Sequence, residues 1–393
     1  MTDCTVVGAS FAGLACATAL ARAGMQVSVL EKRSNVGEKL HTTGIIVKDA
    51  IDQLTILDGL PDALVHRVTG VRLYAPNLEH VDLKAPGYYF LATDTPQVMR
   101  WLAARAEQAG AKIVCRAVFR QAVRTPSGYN LGEFGTTRFL VGADGPNSIV
   151  AKTFGLGQSS QFLFGIEYEY TGATMDDPDK LHCFVDRRIA PGYIGWIVAG
   201  PAGLQIGLAY RLRGRRQPAT EALQKFLQKI APIIDLRGVR PNSVRAGKIP
   251  CGGTVWPVSA RRVLLVGDAA GMVSPVTAGG IHTALKHGLA SGHAIADFLV
   301  GRRDDPGKWF VQSYPRFRLK RVIRFLFDRF QSDALFNLFL RTRLVRTAAG
   351  LVYFHHKGVF DPAEIRAGAS APATVQSSLR KDAGIGVGAD PIG

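Results

Sequence analysis

The start of the chain combines a short apolar strand, a glycine turn, a helix of small residues and a second strand that ends in an acid. The apolar segment 4–8 leads into Gly8 and Gly13, and a second apolar segment leads into Glu31. In such a unit the first glycine permits a tight turn, the last lets the helix pack closely on the strand, and the helix N-terminus receives a pyrophosphate. Ser10 stands at the middle glycine position and is still small. The pattern predicts a dinucleotide-binding unit whose acid suits an unphosphorylated adenosine ribose, as in FAD or NAD.

Two distant segments repeat the theme of a buried strand that ends in an acid. Segment 139–152 runs from an apolar strand into Asp144-Gly145, and segment 262–288 runs from another into Asp268. In the second segment, Gly279-Gly280 precedes a predicted helix with small residues. The N-terminus of that helix suits a flavin ring that becomes negative when it is reduced.

The sequence contains one dinucleotide fingerprint. Neither 155–157 nor 200–203, both glycine-containing, is followed by the apolar pattern of a helix. This argues against separate FAD and NAD domains. We therefore expect NAD(P)H to bind transiently and reduce the flavin, or another donor to do so.

Together the three segments resemble the FAD-dependent oxidoreductases of the p-hydroxybenzoate hydroxylase type, and within them the geranylgeranyl reductase family, over roughly residues 4–300. The resemblance implies that Glu31 binds the adenosine ribose, that Asp144-Gly145 lies near the pyrophosphate and the nicotinamide approach, and that Asp268 holds the ribityl chain. The residues that it assigns to the FAD site are Gly8, Ser10, Phe11, Ala12, Gly13, Glu31, Lys32, Lys39, Val118, Asp144, Gly145, Gly267, Asp268, Pro275, Gly279, Gly280 and Ile281.

On the substrate side, segment 191–196 (PGYIGW) resembles a signature of the same family that lines the substrate cavity. The resemblance assigns Tyr193 and Trp196 to the substrate; the alternative is an ordinary strand packed in a sheet. The chain departs from the family pattern at two positions. His41 stands where the family commonly has a cysteine near the substrate double bond, and Thr95 stands where it has an arginine. His41 is the candidate acid, because an imidazole titrates near neutrality.

These patterns predict an α/β protein: an FAD-binding Rossmann-like domain with an inserted antiparallel-sheet substrate domain and a helical C-terminal segment. Alternating apolar and polar residues predict strands within 160–254, interrupted by a helix at 219–230. The predicted domains are the FAD-binding domain at 1–75, 95–158 and 255–300, the substrate domain at 76–94 and 159–254, a basic helical region at 301–365, and a disordered tail at 366–393.

The C-terminal third carries much of the positive charge. The 393-residue chain has 48 Lys and Arg against 31 Asp and Glu, which gives a net charge of +17, and 308–346 alone contains ten basic and two acidic residues. Three interpretations stay open for this region. They are an amphipathic helix docked on the flavin domain with a solvated basic face, a contact with an anionic membrane surface or the entrance to a lipid-binding tunnel, and, least favoured, nucleic-acid binding. We therefore expect no nucleic-acid partner.

The cysteines, the apolar runs and the histidines of the sequence bear on the location of the protein and on metal binding. The five scattered cysteines form no CxxC pair, and the N-terminus lacks the pattern of a signal peptide, so we expect reduced thiols in a cytoplasmic protein. No apolar run is long enough to span a bilayer; any membrane contact would be peripheral, on the inner face. The spacing of His282, His287 and His293 places no pair on one helix face, so we expect no metal site. The oligomeric state stays open.

The leading hypothesis is an FAD-dependent oxidoreductase that reduces carbon–carbon double bonds of an isoprenoid or similar apolar lipid. The alternative is an FAD-dependent monooxygenase that hydroxylates or epoxidises an apolar substrate. A third hypothesis is a flavin electron carrier at a membrane surface; the lack of clustered cysteines removes an internal iron–sulfur relay from it.

Overall fold

The computed structural model describes residues 1–40, 42–212 and 218–354. His41, the predicted acid, and the predicted tail 366–393 lie outside the described residues. The helices are α1 (Phe11–Arg22), α2 (Lys48–Gln53), α3 (Thr95–Gln108), α4 (Ile149–Thr153), α5 (Ala219–Ile230), α6 (Ile281–Leu299), α7 (Gly307–Ser313), α8 (Arg318–Phe330), α9 (Asp333–Phe339) and α10 (Arg343–Phe354).

The first sheet carries the predicted nucleotide-binding unit. Its strands are β1 (Thr2–Val7), β2 (Val27–Glu31), β8 (Lys112–Cys115), β9 (Val123–Arg124), β10 (Tyr129–Asn130), β11 (Thr136–Gly142), β17 (Ser259–Ala260) and β18 (Val263–Leu265). Along the order β18-β11-β1-β2-β8 all neighbours are parallel. Parallel strands end at one edge, so the carboxyl ends of β1, β2, β11 and β18 lie together.

Helices α1 and α6 pack closely against each other. A Cβ atom on Gly288 of α6 would lie 2.4 Å from the carbonyl oxygen of Ala12 in α1, and one on Gly292 would lie 2.5 Å from that of Cys16. The small residues of both helices therefore let their backbones approach. This contact joins the first segment of the chain to the late segment of the FAD-binding domain.

The second sheet has seven strands, and most of them come from the segment 159–254. Its strands are β5 (Gly70–Tyr74), β6 (His80–Leu83), β12 (Phe162–Tyr170), β13 (Lys180–Phe184), β14 (Gly195–Gly200), β15 (Gly203–Arg211) and β16 (Ser243–Pro250), in the order β16-β12-β15-β14-β13-β5-β6. All its pairs are antiparallel except β5 with β13. Helix α5 has the predicted bounds, and its apolar face, which includes Leu223 and Phe226, packs in the core of this sheet. The predicted fold class is confirmed.

A small third sheet connects the other two. It contains β3 (Ile45–Val47), β4 (Val65–Val68) and β7 (Phe90–Thr93). The predicted boundary after residue 75 runs between β5 and β6, two strands of one hairpin, and β7 pairs with β3 and β4 although it lies in the range 76–94. The domain limits given above stay predictions.

The basic C-terminal segment forms α7 to α10, and α8 is oriented in an unexpected way. Leu319, Phe325 and Phe330 are 72%, 64% and 64% exposed, whereas Arg324 is buried. The interpretation of an apolar face docked on the protein and a solvated basic face is therefore wrong for α8. In the described residues no helix is both long and apolar enough to cross a membrane.

Candidate active site

The turn between β1 and α1 is tight, and the sequence predicts that it binds a pyrophosphate. Gly8 has a φ of +101°, and a Cβ atom there would lie 2.4 Å from the carbonyl oxygen of Ala143, so the position requires glycine. Ser10 caps α1 by accepting a hydrogen bond from the Gly13 amide. The turn therefore presents the N-terminus of α1 at the carboxyl edge of the sheet.

Glu31 ends β2 beside this turn. Its carboxylate accepts one hydrogen bond from the Ala9 amide and one from the Arg33 amide, each 2.9 Å long. These bonds hold the acid next to the glycine turn, where the pattern predicts the adenosine ribose. Its assignment as a ribose ligand stays a prediction.

Three of the residues that the resemblance assigns to FAD are exposed: Lys32, Lys39 and Val118. The backbone that leads to Val118 is attached to the end of β2, because the Ala117 amide donates to the Glu31 carbonyl oxygen at 2.9 Å. Val118, Lys32 and Lys39 have exposed side chains, and Lys39 lies in the left-handed region with a φ of +50°. Their role in binding FAD stays a prediction.

Asp144 lies next to Gly8 and closes a turn. Its Oδ1 accepts from the Ser148 hydroxyl at 2.6 Å, and its Oδ2 accepts from the amides of Ile149 and Val150 at 2.6 and 3.2 Å. The carboxylate thus stabilises the N-terminus of α4. A Cβ atom on Gly8 would lie 3.1 Å from the Asp144 Cα, so this turn and the β1–α1 turn are in contact.

Burial desolvates the carboxyl group of Asp268. Desolvation raises its pKa from the ordinary 3.8 to about 6, and no other interaction among the described residues opposes that change. Gly267 precedes it with a φ of +60° and lies close to Ala12 of α1. The hydroxyl of a bound molecule would complete the hydrogen bonding of this carboxyl group.

The N-terminus of α6 lies beside Asp268. Gly280 is its N-cap residue and offers no side chain, and Pro275 in the preceding loop is buried. The position of a Cβ atom on Gly280 is 3.7 Å from Asp268 Oδ1. Gly280 and Ile281 therefore leave backbone N–H groups available near a desolvated carboxyl, which fits the polar chain and ring of FAD. The Gly279 amide donates to the Thr277 hydroxyl at 3.3 Å.

Tyr193 and Trp196 bring the second sheet to this loop. The Tyr193 hydroxyl donates to the carbonyl oxygen of Thr277, two residues before Gly279. Tyr193, Trp196 and Ala278 each pack against one apolar cluster that contains Leu163 and Ala209, and burial raises the pKa of Tyr193. Tyr193 thus contacts the predicted flavin loop directly, and Trp196 borders the same apolar cluster as that loop. That the two residues bind substrate stays a prediction.

Thr43, in the loop after position 41, is connected to Trp196 through a shared partner, Glu167. The Thr43 hydroxyl donates to Glu167 Oε2 at 2.5 Å, and the Trp196 indole N–H donates to the same oxygen at 2.8 Å. Thr95 stands where the family has an arginine. Its hydroxyl donates to the Thr43 carbonyl oxygen at 3.0 Å and so holds the loop that contains Thr43.

Glu167 is the residue that sequence reasoning missed. It lies in the alternating segment of β12 together with Glu169, and both are buried against Arg245 of β16. Alternation indicates that a strand has two different faces, but it does not indicate that the polar face is covered by a second domain. The sequence signal for this cluster was a pair of acids, Glu167 and Glu169, which lie two residues apart and therefore on one face of the strand.

The remaining titratable groups add no metal site. Burial lowers the pKa of His287 to about 4, because desolvation disfavours the charged imidazole. Within residues 1–40, 42–212 and 218–354, no group of three His, Cys, Asp or Glu side chains is placed to hold a metal ion. All five cysteines are free thiols.

Comparison with known proteins identifies the family. The family model described as FAD binding domain matches residues 1–326. The digeranylgeranylglycerophospholipid reductase 2 of Methanopyrus kandleri is 30% identical over 329 residues, which cover 79% of this chain and 81% of that protein. The chain belongs to the geranylgeranyl reductase family. It is an FAD-dependent oxidoreductase, and the resemblance inferred from its three segments is confirmed.

Two further proteins are similar to this reductase. The digeranylgeranylglycerophospholipid reductase of Methanocaldococcus jannaschii is 28% identical over 75% of this chain and 76% of its own length. The solved structure of a geranylgeranyl bacteriochlorophyll reductase-like protein from Thermoplasma acidophilum has a TM-score of 0.76 at 18% identity, and covers 91% of this chain and 97% of that one. At that identity the structure supports the fold alone.

Proposed function

We propose that this reductase reduces carbon–carbon double bonds in the isoprenoid chains of a lipid. The observation that carries the proposal is the contact between the predicted substrate segment and the flavin loop: the Tyr193 hydroxyl donates to the Thr277 carbonyl oxygen, and Trp196 borders the same apolar cluster as Ala278. An apolar chain between these two elements would lie beside the α6 N-terminus. The names of the two archaeal relatives point to the same substrate class.

FAD supplies hydride chemistry when it is bound, and NADH or NADPH is the donor that we expect to reduce it. The chain's own part is to hold FAD and to exclude water from the substrate. The glycine turn and Glu31 would hold the adenosine end, whereas Asp268 and the α6 N-terminus would hold the ribityl and ring end. In this arrangement Tyr193 and Trp196 shape the apolar side.

The test is an anaerobic reoxidation experiment. FAD-loaded enzyme is reduced with light and mixed with digeranylgeranylglycerophospholipid in detergent micelles or, as the control, with its saturated counterpart. We expect the oxidised flavin spectrum to return only with the unsaturated lipid, and the lipid to gain two hydrogens for each bond reduced. The proposal fails if the flavin stays reduced, or if turnover requires oxygen and places it in the product, as a monooxygenase would.

We further propose that the outer surface of α8 to α10 contacts an anionic lipid surface. This surface contains apolar side chains that the fold leaves exposed, namely Leu319, Val322, Phe325, Leu326, Phe330, Leu335, Leu338 and Leu344. Arg316, Arg318, Arg321, Arg329 and Arg341 are exposed around them. Apolar side chains that enter the acyl boundary, with arginines at the phosphate level, are typical of a helix lying in a membrane interface.

A membrane position would also suit the substrate. Helix α8 contacts the loop of Tyr193, because the Arg324 guanidinium donates to the Gly192 carbonyl oxygen and lies 6.0 Å from the Tyr193 ring. The exposed apolar surface is therefore one helix away from the predicted substrate residues. A lipid bound at this surface would have a short path to them.

A further inference from the structure

One row of residues crosses the second sheet from β16 to β14. Arg245 is opposite Glu167, Glu167 is opposite Gly207, and Gly207 is opposite Trp196. A Cβ atom on Gly207 would lie 2.6 Å from Cζ2 of Trp196. The glycine therefore lets the indole lie across β15, and the indole N–H reaches Glu167 two strands away.

Glu167 is the centre of this row. It is 3% exposed and receives three donors: Thr43 Oγ1, Trp196 Nε1, and Arg245 Nη1 at 3.2 Å. One of these donors belongs to the loop after His41, and another belongs to the predicted substrate strand. A single carboxyl group thus joins the two elements between which we place the substrate.

The charges of the cluster do not balance when every group is ionised. Glu167, Glu169 and Arg245 are all buried, and the second oxygen of Glu169 has no partner among the described residues. Two carboxylates and one guanidinium leave one negative charge in a dry place, which is costly. One bound proton neutralises the cluster.

We assign this proton to Glu167, the carboxyl group at the centre of the row. Burial is the largest influence and raises its pKa; Glu169 raises it further, whereas Arg245, Thr43 and Trp196 oppose the change. The charged groups that face Glu167 are thus Glu169 on its own strand and Arg245 on β16. Trp196 on β14 and Thr43 in the loop face it as neutral donors.

We propose that Glu167 is the buried acid that supplies the proton consumed in alkene reduction, and that it acts through the hydroxyl of Thr43. This inference rests on the proposed function. Reduction of a double bond adds a hydride to one carbon, from reduced flavin, and a proton to the other. When Glu167 is protonated, its carboxyl donates in the bond with Thr43 Oγ1, which frees the Thr43 hydroxyl hydrogen. Thr43 then gives that hydrogen to the carbon as a proton and takes the proton of Glu167. Glu167 becomes a carboxylate, stabilised by Arg245, and regains a proton from water before the next bond is reduced.

The first test follows Trp196 and does not depend on turnover. The fluorescence of the FAD-free protein is recorded against pH, and the signal of Trp196→Phe is subtracted to isolate one of the four tryptophans. We expect the isolated signal to titrate, because the indole N–H donates to the group that changes charge. In Glu167→Gln the titration should vanish. The matched control is Glu169→Gln, which removes a carboxyl from the same strand face and from the same arginine. It should keep the titration but move it to lower pH, because Glu169 raises the pKa of Glu167. A titration that persists in Glu167→Gln overturns the proposal.

The second test measures steady-state reduction of the lipid. We expect Glu167→Gln to lower kcat about 100-fold, the usual size of a general acid contribution, with KM changed little. Thr43→Val keeps the volume of the side chain and removes the hydroxyl, so it should lower kcat similarly even if Glu167→Gln folds poorly. In the wild type kcat should fall as pH rises through the pKa of Glu167, and this limb should be absent in Glu167→Gln.

The two proposals fail in different ways. If the wild type does not reduce the lipid but the Trp196 signal titrates through Glu167, the proposed substrate is refuted and the buried acid stands. If the wild type reduces the lipid while Glu167→Gln and Thr43→Val keep kcat and the alkaline limb, the role of Glu167 is refuted and the reductase function stands.

Discussion

Asp328 of α8 lies 2.9 Å from Arg324 Nη2 and, through its other oxygen, 2.9 Å from Arg211 Nη2 of β15. All three side chains are less than a tenth exposed. Arg211 also donates to the Cys251 sulfur at 2.6 Å. A helix with strong amphipathic periodicity therefore docks through charged residues on its polar side, and its apolar side faces outward.

The buried ion cluster should be essential for the docking of α8. Asp328→Asn leaves two buried arginines without their shared carboxylate, so we expect a loss of about 3–5 kcal/mol in the free energy of unfolding. Urea denaturation measures this loss. Asp235→Asn makes the same chemical change in an exposed pair with Arg237 and should leave the denaturation midpoint unchanged. Equal stability of the two variants would show that the cluster does not hold the helix.

The exposed surface of α8 should bind anionic vesicles without contributing to stability. We expect the double variant Phe325→Ser and Phe330→Ser to lose most of its co-sedimentation with vesicles rich in phosphatidylglycerol, because burial of these rings in the acyl region is removed. Its thermal unfolding temperature should stay the same, since both rings are exposed. Phosphatidylcholine vesicles should bind the wild type weakly.

Val123→Ser is the control for that experiment. Val123 is 63% exposed on β9, in the first sheet, and its loss should leave vesicle binding unchanged. Light scattering of the wild type and the double variant tests whether a second copy of the chain, and not a membrane, covers this surface. A wild-type dimer that the double variant converts to a monomer would assign the surface to a second copy of the chain and refute the membrane contact.

Asp268 should make the FAD-free protein less stable as pH rises. Its folded-state pKa is raised to about 6 from 3.8, so the stabilisation by the bound proton is complete below about pH 4 and is lost as pH rises through 6. Asp268→Asn stays neutral and should lack this loss. The measurement is the urea midpoint of both FAD-free proteins between pH 4 and pH 8, taken as a difference. If the two curves are parallel, the pKa of Asp268 is not raised in the folded protein, and the prediction is wrong.

Gly207 should be required for the position of Trp196. In Gly207→Ala the new methyl group would lie 2.6 Å from the indole, and we expect a loss of about 1–3 kcal/mol from overpacking together with loss of the Glu167-dependent titration of Trp196. Gly252→Ala is the control, because a Cβ atom there meets its nearest neighbour at an ordinary 3.4 Å. A titration that survives in Gly207→Ala would show that the indole does not need to cross β15.

The sequence by itself determined the nucleotide-binding half of the molecule. The β1–α1–β2 unit, the acid Glu31, the loop before α6 and the bounds of α5 could all be predicted, because each depends on neighbours along the chain. A glycine at a tight turn, a helix N-terminus and an apolar period leave their marks within about thirty residues. The family pattern in these segments then indicated FAD and the class of reaction.

Only the tertiary structure decided the roles of Glu167 and α8. Periodicity shows that a strand or a helix has two unlike faces, but which face is covered depends on partners that lie far away in the chain. For Glu167 the partners are Thr43, Trp196 and Arg245; for α8 they are Arg211 and Gly192. A buried charge is stable only where such partners converge, and convergence is a property of the fold.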